Sequence, residues 1–185
     1  MRIQEERLHL RDGRELLMRS VDELDAEAML EYIRRTAEET YFLICYPEEV
    51  RLDLEEEKEI LRKSLESDKT VWFTVFDGDK VVGNCSISGI SDKIKYRHRC
   101  GLGIAILQEY VGQGLGTMLL ERAIDKAKEL GFEQLELGVF EDNANAFSLY
   151  KKLGFKEYGR TPRAFKLKDG TYRDEINMIC NLSNI

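Results

Sequence analysis

The sequence predicts a mixed α/β domain: a mostly antiparallel sheet with a parallel strand pair at its centre, flanked by helices. Two stretches rich in β-branched and aromatic residues, 70–76 and 81–90, flank Asp77-Gly78-Asp79-Lys80, which is the signature of an antiparallel hairpin. From residue 97 onward, strand-like and helix-like runs alternate, and strands joined through a helix come out parallel. Hydrophobic content of 43%, charged content of 34% and only two prolines in 185 residues fit one ordinary globular domain over 1–185. No internal repeat or low-complexity segment is present.

In chain order, residues 7–10 and 15–21 read as strands around the turn Arg11-Asp12-Gly13-Arg14. Asp22, with Asp25 three residues on, has the form of a helix N-cap. Leu24, Ala28, Ile33 and Ala37 supply an apolar stripe to about Glu38. The run 39–47 breaks this pattern, and Pro47 bars a helix from passing through it. A second helix begins near Asp53. Its first turn is acidic (Glu55, Glu56, Glu57) and its last basic (Arg62, Lys63), which suits the helix dipole, and Leu54, Leu61 and Leu65 mark its expected buried side. After the hairpin come a strand at 97–107, a helix at 114–130 stopped by Gly131, and a strand at 134–140. A helix at 143–153 follows, with Asn143 as its cap and Gly154 as its stop. The chain ends in strands at 155–160, 164–167, 172–174 and 175–182, with a turn at 168–171.

A net charge of −7 argues against a broad basic face for nucleic acid. The four cysteines, Cys45, Cys85, Cys100 and Cys180, show no C-x-x-C pattern and no histidine cluster, so the expectation is four free thiols and no metal. The first ten residues are too charged for a signal peptide, and no apolar run reaches membrane-spanning length. A cytoplasmic protein with no membrane partner is the expectation, and monomer and homodimer both stay open.

The chemistry concentrates in Tyr110-Val111-Gly112-Gln113-Gly114-Leu115-Gly116-Thr117, which lies between the strand and the long helix. Glycine permits positive φ and close approach of a ligand to the backbone, and the helix that follows turns its open N–H groups and positive dipole end toward the same turn. Together these make a seat for a phosphate or diphosphate. A P-loop would need a lysine and then Ser or Thr after the last glycine, and a dinucleotide fingerprint would need G-x-G-x-x-G; neither is present.

Downstream runs Asn143-Ala144-Asn145-Ala146-Phe147-Ser148-Leu149-Tyr150-Lys151-Lys152-Leu153-Gly154-Phe155. With these two stretches in this order, the chain resembles the GNAT superfamily of acetyl-CoA-dependent N-acetyltransferases. In that family the first motif reads (Arg or Gln)-x-x-Gly-x-(Gly or Ala), matched by Gly114 and Gly116. The second reads Asn-x-x-Ala-x-x-Leu-Tyr-x-x-x-Gly-Phe, matched by Asn143, Ala146, Leu149, Tyr150, Gly154 and Phe155. The strong part of the resemblance covers about 97–160.

The resemblance implies a GNAT fold and acetyl-CoA as co-substrate, held by Ile106, Val111, Gly112, Gln113, Gly114, Leu115, Gly116, Thr117 and Asn143. Ile106 would use only its main chain, toward the pantetheine arm and thioester. Tyr150 is the implied catalytic residue, its hydroxyl serving the CoA sulfur as a general acid; a plain core tyrosine is the alternative. Lys151 and Lys152 read as solvated, though either could meet a phosphate. The implied acceptor is a primary amine of a small molecule or of a protein N-terminus, which attacks the thioester directly.

Two departures from the family pattern matter. Val111 stands where an Arg or Gln is usual, and Gly101 stands where a strand glutamate often serves as base. Glu39 is a candidate base by location alone, and water is an equal one. Tyr41, Phe42 and Tyr46 are candidates for the acceptor pocket. These departures keep a second reading open, a non-catalytic acyl-CoA-binding or sensor protein; a nucleotide-binding regulatory domain is disfavoured by the missing lysine.

Overall fold

The computed structural model describes residues 1–50 and 53–182. Eight strands hydrogen-bond in the order β1-β2-β3-β4-β5-β6-β8-β7. The sheet is mostly antiparallel, and β5–β6 is its parallel pair. The strands are β1 (Glu6–His9), β2 (Glu15–Arg19), β3 (Thr70–Asp77), β4 (Lys80–Gly89), β5 (Arg99–Ile106), β6 (Gln134–Phe140), β7 (Lys156–Lys166) and β8 (Tyr172–Asn181). The helices are α1 (Ala26–Glu39), α2 (Leu54–Glu66), α3 (Leu115–Glu129) and α4 (Ala144–Lys152). The mixed sheet expected from the element order is therefore present.

The chain forms two compact units. The first comprises Met1–Ser88 and Gly103–Ala123, the second Gly89–Leu102 and the chain from Ile124 onward.

In the first unit, β1, β2, β3 and β4 form an antiparallel meander, with Leu8 opposite Leu16 and Phe73 opposite Cys85. Asp77 pairs with Lys80, so the hairpin turn is Gly78-Asp79, as the sequence suggests. Val71, Phe73 and Val75 alternate along β3 and Cys85 and Ile87 along β4, all buried, while Thr74, Phe76 and Val82 are buried on the other face. Asp22 caps as expected, its side chain accepting from Leu24 N at 3.0 Å while its own N–H bonds Asp25 at 3.0 Å.

The apolar stripe of α1 is a correction. Leu24 is 94% exposed, because residues 23–25 form a 3-10 turn that advances through a different angle per residue than α1 does. The buried side of α1 is Ala26, Met29, Leu30, Tyr32, Thr36 and Ala37. On α2, Asp53 caps Glu56 N at 2.8 Å. Of the three leucines expected on the buried side of α2, Leu61 is buried while Leu54 and Leu65 are half-buried at its edges; the face that α2 buries is Glu57, Leu61 and Ser64, spaced four and three residues apart, so an acidic residue of its first turn lies inside the fold.

In the second unit, Arg99, Cys100 and Gly101 run parallel to Gln134, Leu135 and Glu136. β6 pairs antiparallel with β8, and β8 with β7. Leu135, Leu137, Val139, Met178 and Phe155 are buried in this unit. The four short terminal strands read from the sequence are two long ones. Bulges at Glu157/Gly159 and Thr161/Phe165 absorb the irregular stretch without breaking the ladder. Arg163 takes a φ of 54° inside the second bulge, and its N–H donates to Asp174 Oδ1 at 2.8 Å.

Candidate functional site

A 3-10 turn at Gln108–Tyr110 leaves the end of β5, and Val111 follows in an extended conformation. Gly112 and Gly114 have φ of +80° and +94°, a region that side chains with a Cβ rarely enter. The backbone thereby reverses, and α3 begins at the fully buried Leu115. Gly116 and Thr117 are already helical. The N–H of Met118 bonds back to Gly114 O at 3.2 Å. Among the described residues, the N–H groups of Gly112 through Thr117 bond no backbone carbonyl outside α3, and the first amides of a helix have no partner inside it, so the start of α3 turns a set of open donors toward the turn. Ile106, whose Cγ1 packs over Gly83, ends β5 half-buried. Thus Ile106, Val111, Gly112, Gln113, Gly114, Leu115, Gly116 and Thr117 lie along one short stretch of the first unit.

The stretch is fastened by contacts from distant parts of the chain. The Tyr110 hydroxyl donates to Asp77 Oδ2 at 2.8 Å. Burial, reinforced by that bond to Asp77, pushes the phenol up to about 12. The Arg14 guanidinium lies 4.3 Å from the Tyr110 ring centre and donates to Glu109 O at 3.1 Å and, through Nε, to Asp12 at 2.9 Å. The Arg11 N–H donates to Gln113 O at 3.2 Å. The turn between β1 and β2 is therefore laid along the glycine turn. No sequence motif announces this contact, because it joins two turns far apart in the chain.

Glu39 is fully engaged. Its Oε1 accepts from Arg35 Nε at 3.1 Å and its Oε2 from Gln108 N–H at 2.7 Å, so its carboxylate anchors the end of α1 to the turn after β5.

A cavity of about 280 Å³ lies among Tyr32, Thr36, Ile44, Cys45, Asn84, Ser86, Gly103 and Ala105. The polar groups around it are largely spent within the protein. Tyr32 OH donates to Ala105 O at 2.8 Å, Thr36 OH to Tyr32 O at 2.9 Å, and Thr74 OH to Asn84 Oδ1 at 2.9 Å. From the α1–α2 connection the wall takes Leu43, Ile44 and Cys45. Tyr41 and Phe42 instead pack against each other, with ring centres 4.5 Å apart.

Asn143 and Tyr150 belong to the second unit. Asn143 Oδ1 accepts from Ala146 N–H at 3.2 Å, which caps α4. Tyr150 is buried on α4, its ring centre 5.8 Å from that of Phe155. Gly101 stands opposite Glu136, whose carboxylate is gripped by Arg99 through a fork, one arm of it 2.7 Å long. Gly138 and Phe140 share the Glu136 face of β6, and Glu175 pairs with Phe140. The Glu175 carboxylate fills the space over Gly138 that a Cβ would need. Among the described residues, it makes no hydrogen bond or ion pair.

A model of the acetyltransferase (GNAT) family matches residues 17–155. The L-amino acid N-acetyltransferase of Escherichia coli (strain K12) is 33% identical over 103 residues, which cover 55% of this chain and 62% of that protein. The ribosomal protein bS18-alanine N-acetyltransferase of the same strain is 46% identical over 80 residues, 43% of this chain and 53% of that protein. The chain thus spans little more than half the length of these curated relatives. A crystal structure of an acetyltransferase of the GNAT family from Streptococcus pneumoniae superposes with a TM-score of 0.84 at 30% identity, covering 90% of this chain and 99% of that one.

Proposed function

We propose a function for a chain that belongs to the GNAT acetyltransferase family: it transfers the acetyl group of acetyl-CoA to a primary amine by direct attack, and the amine is the α-amino group of an amino acid or of a peptide N-terminus. The observation that carries the reading is the turn at 111–117, where two positive-φ glycines precede the open amides of α3. Residues there suit a diphosphate: the first amides of α3 are open, no side chain stands on Gly112 or Gly114, and the helix dipole favours an anion. Acetyl-CoA supplies the activated thioester. Ile106 is assigned main-chain contact with its pantetheine arm, and Asn143 a contact in addition to its capping bond.

The acceptor class follows from the missing base. An alkylamine has a pKa of ~10 and the α-amine of a peptide N-terminus one of ~8, so near neutral pH the peptide amine presents roughly a hundredfold more of its reactive neutral form. With glycine at 101 and Glu39 already bonded twice, a peptide α-amine asks least of the protein. Water or Glu175 takes the remaining proton. Relatives that act by name on L-amino acids and on an alanine of a ribosomal protein support the same class. The cavity of about 280 Å³ is at the small end for ligand pockets and suits one amino-acid side chain.

Tyr150 is assigned the proton that the departing sulfur needs. Phenylalanine keeps the ring and removes that donor, so Tyr150→Phe should lower kcat by ~10²–10⁴ with acetyl-CoA affinity unchanged. The test of the whole reading is thiol release from acetyl-CoA with free amino acids, short peptides and spermidine. Release is expected with α-amines and at most weakly with spermidine. Tight acetyl-CoA binding with no release from any amine would favour instead a non-catalytic acyl-CoA-binding protein, a reading that Gly101 and Val111 support.

A further inference from the structure

We propose that Arg11, on the turn between β1 and β2, supplies the positive charge that Val111 does not, and binds the diphosphate of acetyl-CoA over the glycine turn. The inference rests on the reading of 111–117 as the cofactor seat.

The family motif begins with a residue able to reach a phosphate, and here that place holds an exposed valine. The amides of α3 alone would face a polyanion in a chain of net charge −7. Arg11 lies where a cation would help. Its Nε is 3.7 Å, and its Cγ 4.0 Å, from where a Cβ on Gly114 would stand. Its backbone is held by the bond from its N–H to Gln113 O, so the side chain starts from a fixed point beside the turn.

The two arginines of this turn are used differently. Arg14 is spent on structure, stacked on Tyr110 and bonded to Asp12 and to Glu109 O. Arg11 is exposed, and among the described residues its side chain makes no ion pair or hydrogen bond. A planar guanidinium can bind two phosphate oxygens at once, and such charge-assisted pairs are stronger than neutral ones. The glycine at 114 thus serves twice: its φ of +94° reverses the chain, and its bare Cα leaves the approach beside Arg11 open.

The test is calorimetric titration of the purified chain with acetyl-CoA at low and high salt, for the native sequence, Arg11→Ala and Arg11→Lys. Arg11→Ala should raise Kd by up to about fivefold at low salt, the size of a charged contact at an exposed site. The difference should shrink near 1 M salt, where the screening length is ~3 Å. Arg11→Lys should recover most of the affinity, and the ligand-free melting temperature should be the same for all three. Equal Kd for the native chain and Arg11→Ala at low salt overturns the assignment, and so does a loss that persists undiminished in high salt. Failure of the native chain to bind acetyl-CoA at all would instead remove the seat on which the inference stands.

Discussion

Gly114 holds the most constrained backbone of the candidate site, at φ +94° between the extended Val111 and the first turn of α3. An L-residue there loses ~1–2 kcal/mol from backbone sterics alone. Alanine would also put a methyl group 3.7 Å from Arg11 Nε, an ordinary contact that the flexible arginine can meet by swinging away. Gly114→Ala should therefore lower the melting temperature modestly and weaken acetyl-CoA binding beyond what the fold loses. Differential scanning calorimetry and titration of the same sample separate the two effects. Unchanged affinity in the folded variant would take the turn out of the binding site. At Gly101 the sequence speaks by what it lacks; the structure sets Glu136 opposite it and the Glu175 carboxylate two residues further along β6, over Gly138. Glu136 is tied to Arg99, which leaves Glu175 as the one to test. If Glu175 takes the amine proton, Glu175→Gln should depress kcat/KM near neutral pH and recover toward high pH, where the acceptor is already neutral. A flat ratio of variant to native rates across pH assigns that proton to water.

Among the elements, α2 carries an internal conflict. Its capping box and acidic first turn are favourable, yet the same turn sends Glu57 inward to 1% exposure, with no hydrogen-bond partner for either carboxylate oxygen. Burial pushes this carboxyl above its ordinary value of 4.5. The folded-state value is thus the raised one. The group is least costly below the unfolded value, where it is neutral in both states, and stability is lost as pH climbs from there toward the raised value. Glu57→Leu removes the unpaired oxygens and should stabilise the fold by about 1–3 kcal/mol at pH 8. The gain should be smaller at pH 4. Urea unfolding at the two values measures both, and a gain that does not grow with pH would mean the carboxylate finds partners in solution. β7 and β8 show the opposite case, in which irregular composition around residues 161–165 reads as a break but is absorbed by a bulge.

For the whole molecule, the cysteines give a direct readout of packing. Cys85, Cys100 and Cys180 are buried, whereas Cys45 is exposed in the α1–α2 connection. Burial raises the thiols of Cys85 and Cys180 and brings Cys100 up to about 12, so at neutral pH their reactive thiolate is scarce as well as shielded. The native protein should titrate one fast thiol with Ellman's reagent, abolished in Cys45→Ser, and all four cysteines of the sequence after unfolding without reductant. Fewer than four in the unfolded chain would reveal a disulfide or a blocked thiol.

The sequence by itself determined the order of elements as far as α4, the hairpin at Gly78-Asp79, the caps at Asp22 and Asn143, and the strand–glycine turn–helix arrangement at 99–129. These depend on residues within a turn or two of one another, where periodicity, φ preference and local hydrogen bonds operate. The same locality carried the two motifs that point to the GNAT family. Only the tertiary structure decided that Leu24 faces water, that Glu57 is buried, that Glu39 is consumed by Arg35 and the Gln108 amide, and that Arg11 stands beside Gly114. Each of these is set by which distant segment packs against the residue. Burial and charge pairing are properties of the contact, and the partners lie too far apart in the chain for any local pattern to name them.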